Sequence, residues 1–258
     1  MNKVYFALLF VAISWEGKAQ ISPPGLGTAH TAEWLAIGIR QPLNNRNTWQ
    51  LVSYVGMGRK SAPNNYDPAL KPAILVFNEE AYHTINEHWQ YSFALSYRRQ
   101  DEYKDVAPYE HQTPGVQQEF RAYGRLYYYV PLGRFKLAAI ARQELRKFYT
   151  PDFNRPEENF QFRSRWRLQA SMALGEEKKQ KLIASAEALF ATSHQSETNQ
   201  WTSFEYEESR FSFYYSFTLP RLPLTVDLGY MNNLLGTQHP TMVHYLAVDF
   251  ILENPFHI

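Results

Sequence analysis

The sequence predicts an all-β fold, a transmembrane antiparallel up-and-down β-barrel of 10 or 12 strands. Three observations support this prediction: an N-terminal export signal, long segments in which apolar and polar residues alternate, and links between those segments that are alternately short and long. Aromatic residues make up 16% of the chain, yet its mean hydropathy is only −0.46. A barrel explains both values, because it needs apolar side chains at only every second position of a strand.

Residues 1–19 are predicted to be a cleavable signal peptide, and residues 20–258 form the predicted barrel domain. Lys3 supplies the basic start, Val4–Trp15 is the apolar stretch, and small residues precede a cleavage site before Gln20. An alternative, a short N-terminal membrane anchor, is disfavoured because crossing a bilayer takes roughly 20 apolar residues. The predicted location of the mature chain is therefore the outer membrane.

The composition excludes several classes of protein. The chain has no cysteine, so disulfides, thiolate metal sites, a cysteine nucleophile and a lipid anchor at the cleavage site are all excluded. After the signal, no long uncharged apolar run predicts a membrane-spanning helix. An exported chain of this kind is either a barrel or a soluble periplasmic or secreted protein.

The alternation is clearest in the segment 160–172. Its even positions include Phe160, Trp166 and Leu168, whereas its odd positions include Arg163 and Arg165. In a strand, alternate side chains line opposite faces, so the segment has one apolar and one charged face. Charges at this density do not fit a dry sandwich core, but they fit either a wet surface or a barrel lumen; the length of the segments and the aromatic content favour the lumen.

Further segments follow the same period of two. They are 89–97, 119–130, 136–146, 181–190, 210–219 and 222–230; the segments 33–42 and 48–59 alternate less clearly, and 72–84 is ambiguous between strand and helix. The expected short links lie at 131–133, 175–179 and 220–223, and the expected long links at 59–72, 100–116, 149–158, 192–202 and 231–241.

The strand count leaves one question open. About eleven candidate strands are present, whereas bacterial barrels normally have an even number. Counting back from the C-terminus gives the first strand the wrong direction. Either a segment near Gln20 to Thr31 threads the lumen, or one strand is miscounted.

These segments carry a family resemblance. Trp34, the run 88–93, Tyr97-Arg98-Arg99, Glu119-Phe120-Arg121 and Arg142–Arg146 are similar to the DUF2490 family, Bacteroidetes outer-membrane proteins of unknown function. The resemblance covers most of the mature chain. It implies a barrel in the outer membrane and implies no activity.

The predicted inward face is basic. Its candidate residues are Arg98, Glu119, Arg121, Arg125, Lys136, Arg142, Glu144, Arg146, Arg163, Arg165, Arg167, Lys181, Glu187, Arg210 and Asp227. One interpretation is a narrow pore that favours a small anionic solute. The favoured one is a cross-strand lattice of arginine and glutamate that braces a narrow barrel. The expected partner is the lipid bilayer, and the oligomeric state stays open.

A second hypothesis is a barrel enzyme that cleaves lipid esters. His194 and Ser196 with Glu208 resemble the His-x-Ser plus Glu arrangement of outer-membrane lipid A deacylases, in which serine attacks, histidine is the base and glutamate orients it. Short motifs of this kind match by chance often, so no catalytic residue is assigned and no enzyme is predicted.

The sequence predicts no cofactor, no metal site and no nucleic-acid partner. Asn78, Glu79, Glu80, His83 and His88 fit no standard metal-ligand spacing. A third hypothesis is a soluble periplasmic β-protein that binds a ligand.

Overall fold

A computed structural model describes residues 21, 23–175, 179–236 and 240–256. It contains twelve strands: β1 (Thr31–Pro42), β2 (Trp49–Lys60), β3 (Lys71–Thr84), β4 (Trp89–Tyr103), β5 (His111–Leu132), β6 (Phe135–Tyr149), β7 (Glu158–Leu174), β8 (Gln180–Gln195), β9 (Gln200–Trp201), β10 (Glu205–Thr218), β11 (Leu224–Leu235) and β12 (Thr241–Glu253). In this part of the chain, no helix is long and apolar enough to cross a membrane.

Eleven of the strands close a barrel. Strands β1 to β8 pair in sequence, β8 pairs directly with β10, and β10, β11 and β12 complete the wall. The two-residue β9 pairs only with the end of β8 and lies outside the wall. The predicted closed barrel is confirmed.

The barrel is closed by one parallel pairing, between β1 and β12. Each antiparallel step reverses the direction of the chain, so in an odd-numbered barrel the first and last strands run the same way. The structure has twelve strands, but only eleven of them form the wall. The wall therefore has an odd number of strands and one parallel seam, between β1 and β12, whereas an even number of strands and antiparallel pairing throughout were expected. This seam also explains the direction of the first strand.

The described part of the segment before β1 lies inside the barrel. Leu26 and Ala29 are buried. The Leu26 amide donates a hydrogen bond of 2.9 Å to the Tyr245 hydroxyl, and Lys60 Nζ donates one of 2.7 Å to the Leu26 carbonyl. A segment in the lumen was one of the two explanations offered for the direction of the first strand, and the structure contains such a segment. Gln20 lies outside the described residues.

The two ends of the barrel differ in their links. At the turn end, strands are joined by residues 43–48, 85–88, 133–134, 175–179 and 219–223; at the loop end, by 61–70, 104–110, 150–157, 196–204 and 236–240. The loops expected at 100–116, 192–202 and 231–241 are shorter than predicted because β4, β5, β8 and β11 extend into them. The ambiguous segment 72–84 is strand β3.

The wall is apolar outside, and its interior holds buried charged residues beside an apolar cluster that includes Trp34, Tyr214 and Tyr245. Leu95 and Leu168 are each 69% exposed, and Ile37 is 63% exposed. The charged side chains of Glu144 and Arg121 face the interior and are buried. This polarity is the reverse of that of a water-soluble protein, in which charged residues are rarely fully buried.

Two glycines allow large rings to pack inside. A Cβ added to Gly56 would overlap the indole of the buried Trp34 on the neighbouring strand. A Cβ on Gly229 would likewise overlap the ring of Tyr214. Both positions therefore need glycine for a close approach rather than for an unusual backbone conformation.

We expect Gly56→Ala to lower the free energy of unfolding by about 1–3 kcal/mol, because extra volume in a packed interior displaces side chains. The measurement is urea unfolding in detergent or vesicles. Gly124→Ala is the matched control: its added Cβ would meet its nearest neighbour, the Ser92 carbonyl, at 3.5 Å, an ordinary contact. Equal stability of the two variants would contradict the packing described for Trp34.

Candidate functional site

The alternation of the strands builds a layer of charges across the middle of the barrel. Because side chains alternate across a strand, arginines and glutamates two residues apart on one strand share the inner face. We call this set the central charge layer. Its members are Arg98, Arg121, Arg125, Arg142, Arg146, Arg163, Arg165, Arg167 and Arg210, with Glu80, Glu119, Glu144, Glu187 and Glu208.

Glu144 lies at the centre of this layer and is 0% exposed. Its carboxylate is 2.5 Å from Arg142 Nε, 3.0 Å from Arg121 Nη1 and 3.1 Å from Arg165 Nη1. These arginines come from strands β5, β6 and β7, so one carboxylate joins three adjacent strands. Of these three contacts, the one from Arg165 Nη1 is a charge-assisted hydrogen bond, whereas those with Arg121 and Arg142 are ion pairs without hydrogen-bond geometry.

Glu119 and Glu187 extend the network on either side. Glu119 accepts from Arg121 Nε at 2.6 Å and from Arg146 Nη2 at 2.7 Å. Glu187 accepts from Arg165, and from Arg167 Nε at 2.7 Å. Arg121 and Arg165 therefore link the three glutamates into one continuous chain of ion pairs.

Two further glutamates belong to the layer. Glu208 accepts from Arg210 and from Asn233 Nδ2, the latter at 2.8 Å. Glu80 accepts from the Ser92 hydroxyl at 2.5 Å and the Tyr123 hydroxyl at 2.8 Å. The sequence predicts neither as a lattice residue. Glu208 belongs to the lipid-esterase hypothesis, and Glu80 lies in the segment 72–84, whose pattern is ambiguous between strand and helix. The inward alternation of Asn78, Glu80 and Tyr82 would have revealed Glu80.

Twelve of the fifteen inward residues predicted from the sequence lie in the central charge layer, and ten of the twelve form ion pairs there. The ten are Glu119, Arg121, Arg125, Arg142, Glu144, Arg146, Arg165, Arg167, Glu187 and Arg210. Arg98 and Arg163 make no ion pair or hydrogen bond with the residues that the structure describes. An unpredicted ion pair, Arg40–Glu253 at 2.6 Å, lies at the turn end.

A small cavity lies between this layer and the N-terminal segment. Its lining residues are Ile21, Pro23, Pro24, Val52, Tyr54, Glu80, Tyr82, Arg98, Arg125, Arg142 and Arg165. The free space at its centre is about 20 Å³, which exceeds the roughly 10–15 Å³ that one water molecule needs.

The residues of the esterase hypothesis are not brought together. Ser196 follows β8 in a loop, where its hydroxyl donates to the Pro156 carbonyl at 2.7 Å. His194 is bonded to Asn159 at 2.9 Å and to Asn199 at 3.2 Å. No hydrogen bond joins His194 to Ser196, and Glu208 faces the lumen. The geometry therefore gives the serine no adjacent base.

The residues considered for a metal site are also dispersed. Glu79 faces outward and Glu80 inward, while His83 packs against Trp49, with the ring centres 4.4 Å apart. Among the described residues, no group of three histidines or carboxylates is arranged to hold a metal ion.

Comparison with known proteins identifies the family. The model of a protein family of unknown function, DUF2490, matches residues 83–243, which run from the end of β3 to the start of β12. No curated protein matches the chain. Because the match covers more than half of the sequence and most of the barrel wall, the chain belongs to the DUF2490 family.

Proposed function

We propose that this chain is an integral outer-membrane β-barrel with a filled lumen, and that its role is structural rather than that of an open pore. The observation that supports this proposal is the reversed polarity of the wall. Leu95 and Leu168 are exposed on the outside, whereas Glu144 is fully buried inside. An apolar surface that extends around a barrel is unfavourable in water, but it matches the hydrocarbon region of a bilayer.

The rings on the outer surface support a membrane position. Near the turn end, Trp89 packs on Tyr128 at 4.8 Å between ring centres, and about halfway along β5 towards the loop end Tyr97 packs on Phe120 at 5.2 Å. Tyr128 and Phe120 are eight residues apart on β5. At about 3.3 Å per residue and a tilt of about 40°, this separation is roughly 20 Å along the barrel axis, close to the apolar band of roughly 25 Å in such barrels.

The export signal predicted from the sequence is consistent with this location. Cleavage before Gln20 would leave a short segment ahead of β1, and the described part of that segment lies in the lumen beside Tyr245 and Lys60. Membrane barrels carry their longer loops on the outer surface and their short turns on the periplasmic side. The proposed orientation therefore places the turn end and the C-terminus in the periplasm.

The central charge layer supports a closed lumen. Glu144 and Arg121, at its centre, have almost no contact with solvent. A second candidate function, a narrow pore for small anions, is favoured by the excess of arginines in this layer. To open such a pore, the ion pairs of the central charge layer would have to separate and the N-terminal segment would have to leave the lumen.

Fractionation together with planar-bilayer recording tests the proposal. We expect the chain in the outer-membrane fraction, with faster gel mobility before boiling than after, and no conductance steps from the folded protein. Recovery in the soluble periplasmic fraction would favour the soluble ligand-binding alternative. Steady anion-selective steps would favour the pore instead.

Glu79 provides an independent test of the membrane position. It is exposed on the outer face between Phe77 and Leu95, within the apolar band, and has no ion pair or hydrogen bond among the described residues. An acidic side chain at a lipid-facing position is unfavourable. We expect Glu79→Leu to raise the free energy of unfolding in lipid vesicles by about 1–2 kcal/mol.

The control for this prediction is Glu205→Leu, at the loop end of β10, where the side chain is exposed but lies outside the apolar band. We expect no increase in stability there. An unchanged or lower stability of Glu79→Leu, measured by urea unfolding, would contradict a lipid environment at this position.

A further inference from the structure

The central charge layer holds more positive than negative charge. Counted over the described residues, nine guanidinium groups face five carboxylates, so four positive charges have no carboxylate within the layer to balance them. Arginine stays protonated in proteins, so these charges are not removed by losing a proton. Buried charges need a partner, because an unpaired ion in a low-dielectric interior is strongly unfavourable.

The imbalance is concentrated at Arg98 and Arg163. Neither forms an ion pair or hydrogen bond with a described residue, and the Nε atom of each is shielded from solvent without an acceptor. Arg98 lines the cavity beside the N-terminal segment. At this cavity, the guanidinium group of Arg98, which has no carboxylate partner among the described residues, therefore borders free space.

Other donors converge on the same cavity. Arg125 and Arg142 line it, and the Nε atom of Arg125 has no acceptor. Tyr54 and Tyr82 also line it and carry hydroxyl groups able to donate a hydrogen bond. The cavity is thus surrounded mainly by hydrogen-bond donors and positive charge.

One carboxylate, that of Glu80, is also part of the lining. Its oxygens already accept from Ser92 and Tyr123, and it lies 3.4 Å from Arg125 Nη2. Four arginines line the cavity with this single carboxylate. The net charge around the free space is therefore positive even with Glu80 ionised.

We propose that this cavity is a binding site for one small inorganic anion of the size of chloride, held mainly by Arg98. The free space of about 20 Å³ limits the occupant to about the size of one water molecule or halide ion. Larger oxyanions such as sulfate do not fit without displacing the N-terminal segment. The site does not depend on where the barrel resides, so its test is separate from fractionation.

Equilibrium dialysis of the folded, purified chain against bromide, with bound bromide measured by mass spectrometry, tests the site directly. We expect about one bromide per chain, displaced by chloride but not by sulfate. Arg98→Gln is expected to weaken bromide binding at least tenfold. Arg167→Gln, whose native side chain pairs with Glu187 and does not line the cavity, is the control with unchanged binding.

Two results would overturn the proposal. One is no bromide retained by the wild-type chain, and the other is equal bromide binding by wild type and Arg98→Gln. Gel mobility before and after boiling shows whether each variant is folded. If Arg98→Gln does not fold, Tyr54→Phe replaces it, because that change removes only a hydroxyl; unchanged bromide affinity of that variant would then count against the site.

Discussion

Glu144→Gln is expected to lower the free energy of unfolding by about 3–5 kcal/mol, because removing one partner of a buried ion pair leaves the other charge uncompensated. Glu144 contacts Arg121, Arg142 and Arg165, so its neutralisation affects three arginines at once. The substitution keeps the shape of the side chain, which separates the loss of charge from the loss of packing. Denaturant unfolding in detergent or vesicles measures the change.

The matched control is Glu33→Gln. Glu33 pairs with Arg59 at 3.9 Å on the outer surface, and both side chains are about two-fifths exposed. Exposed ion pairs contribute about 0–1 kcal/mol, so a small change is expected. If both variants lose the same small amount, the central charge layer does not brace the barrel, and the filled lumen needs another explanation.

Trp34→Ala is expected to lower the free energy of unfolding by about 3–5 kcal/mol, the usual range for deleting a large buried ring. Trp34 is buried on β1, packs over Gly56 of β2, and its Nε1 donates to Asp249 of β12 at 3.0 Å. The ring therefore contacts both neighbours of β1, including the partner across the parallel seam. Unfolding curves followed by gel mobility provide the measurement.

Trp34→Phe separates the two contributions. The phenyl ring keeps much of the packing but removes the donor to Asp249, which lies opposite Asp227 on β11. We expect an intermediate loss of about 1–3 kcal/mol because the buried carboxyl group of Asp249 loses this hydrogen-bond donor. A fully stable Trp34→Ala variant would show that the seam is held by its backbone hydrogen bonds alone.

The parts of the fold that could be predicted from sequence are those with local signals. In β7, arginines at alternate positions opposite Trp166 and Leu168 predict a strand with one charged face, and the structure has that strand. In β3, Glu79 faces outward and Glu80 inward. Charged residues on both faces obscure the alternation, which is why this segment was ambiguous.

The seam could not be predicted because it depends on a contact between distant parts of the chain. Trp34 and Asp249 are 215 residues apart, and no local pattern distinguishes a parallel closure of eleven strands from an antiparallel closure of ten or twelve. The first strand's apparent wrong direction was the available signal. A first strand in that direction is expected if the barrel has an odd number of strands, and it is equally expected if one strand has been miscounted.

The sequence predicts which residues belong to the central charge layer better than it predicts which of them form ion pairs with each other. Alternation assigns Arg121 and Glu144 to the inner face, but which guanidinium reaches which carboxylate depends on the tilt and register of the strands. Glu208 shows the opposite limitation: a short motif suggested a catalytic role, whereas in the structure it accepts from Arg210 and Asn233.

The central claim is that the apolar outer wall lies in lipid. Because the chain has no cysteine, nitroxide labels can be placed singly at Leu95→Cys and Leu168→Cys on the wall and at Phe153→Cys in a loop. In vesicles, the wall labels should relax with oxygen and resist a water-soluble nickel complex, and the loop label should show the reverse. Equal relaxation of all three labels by the nickel complex would contradict the claim.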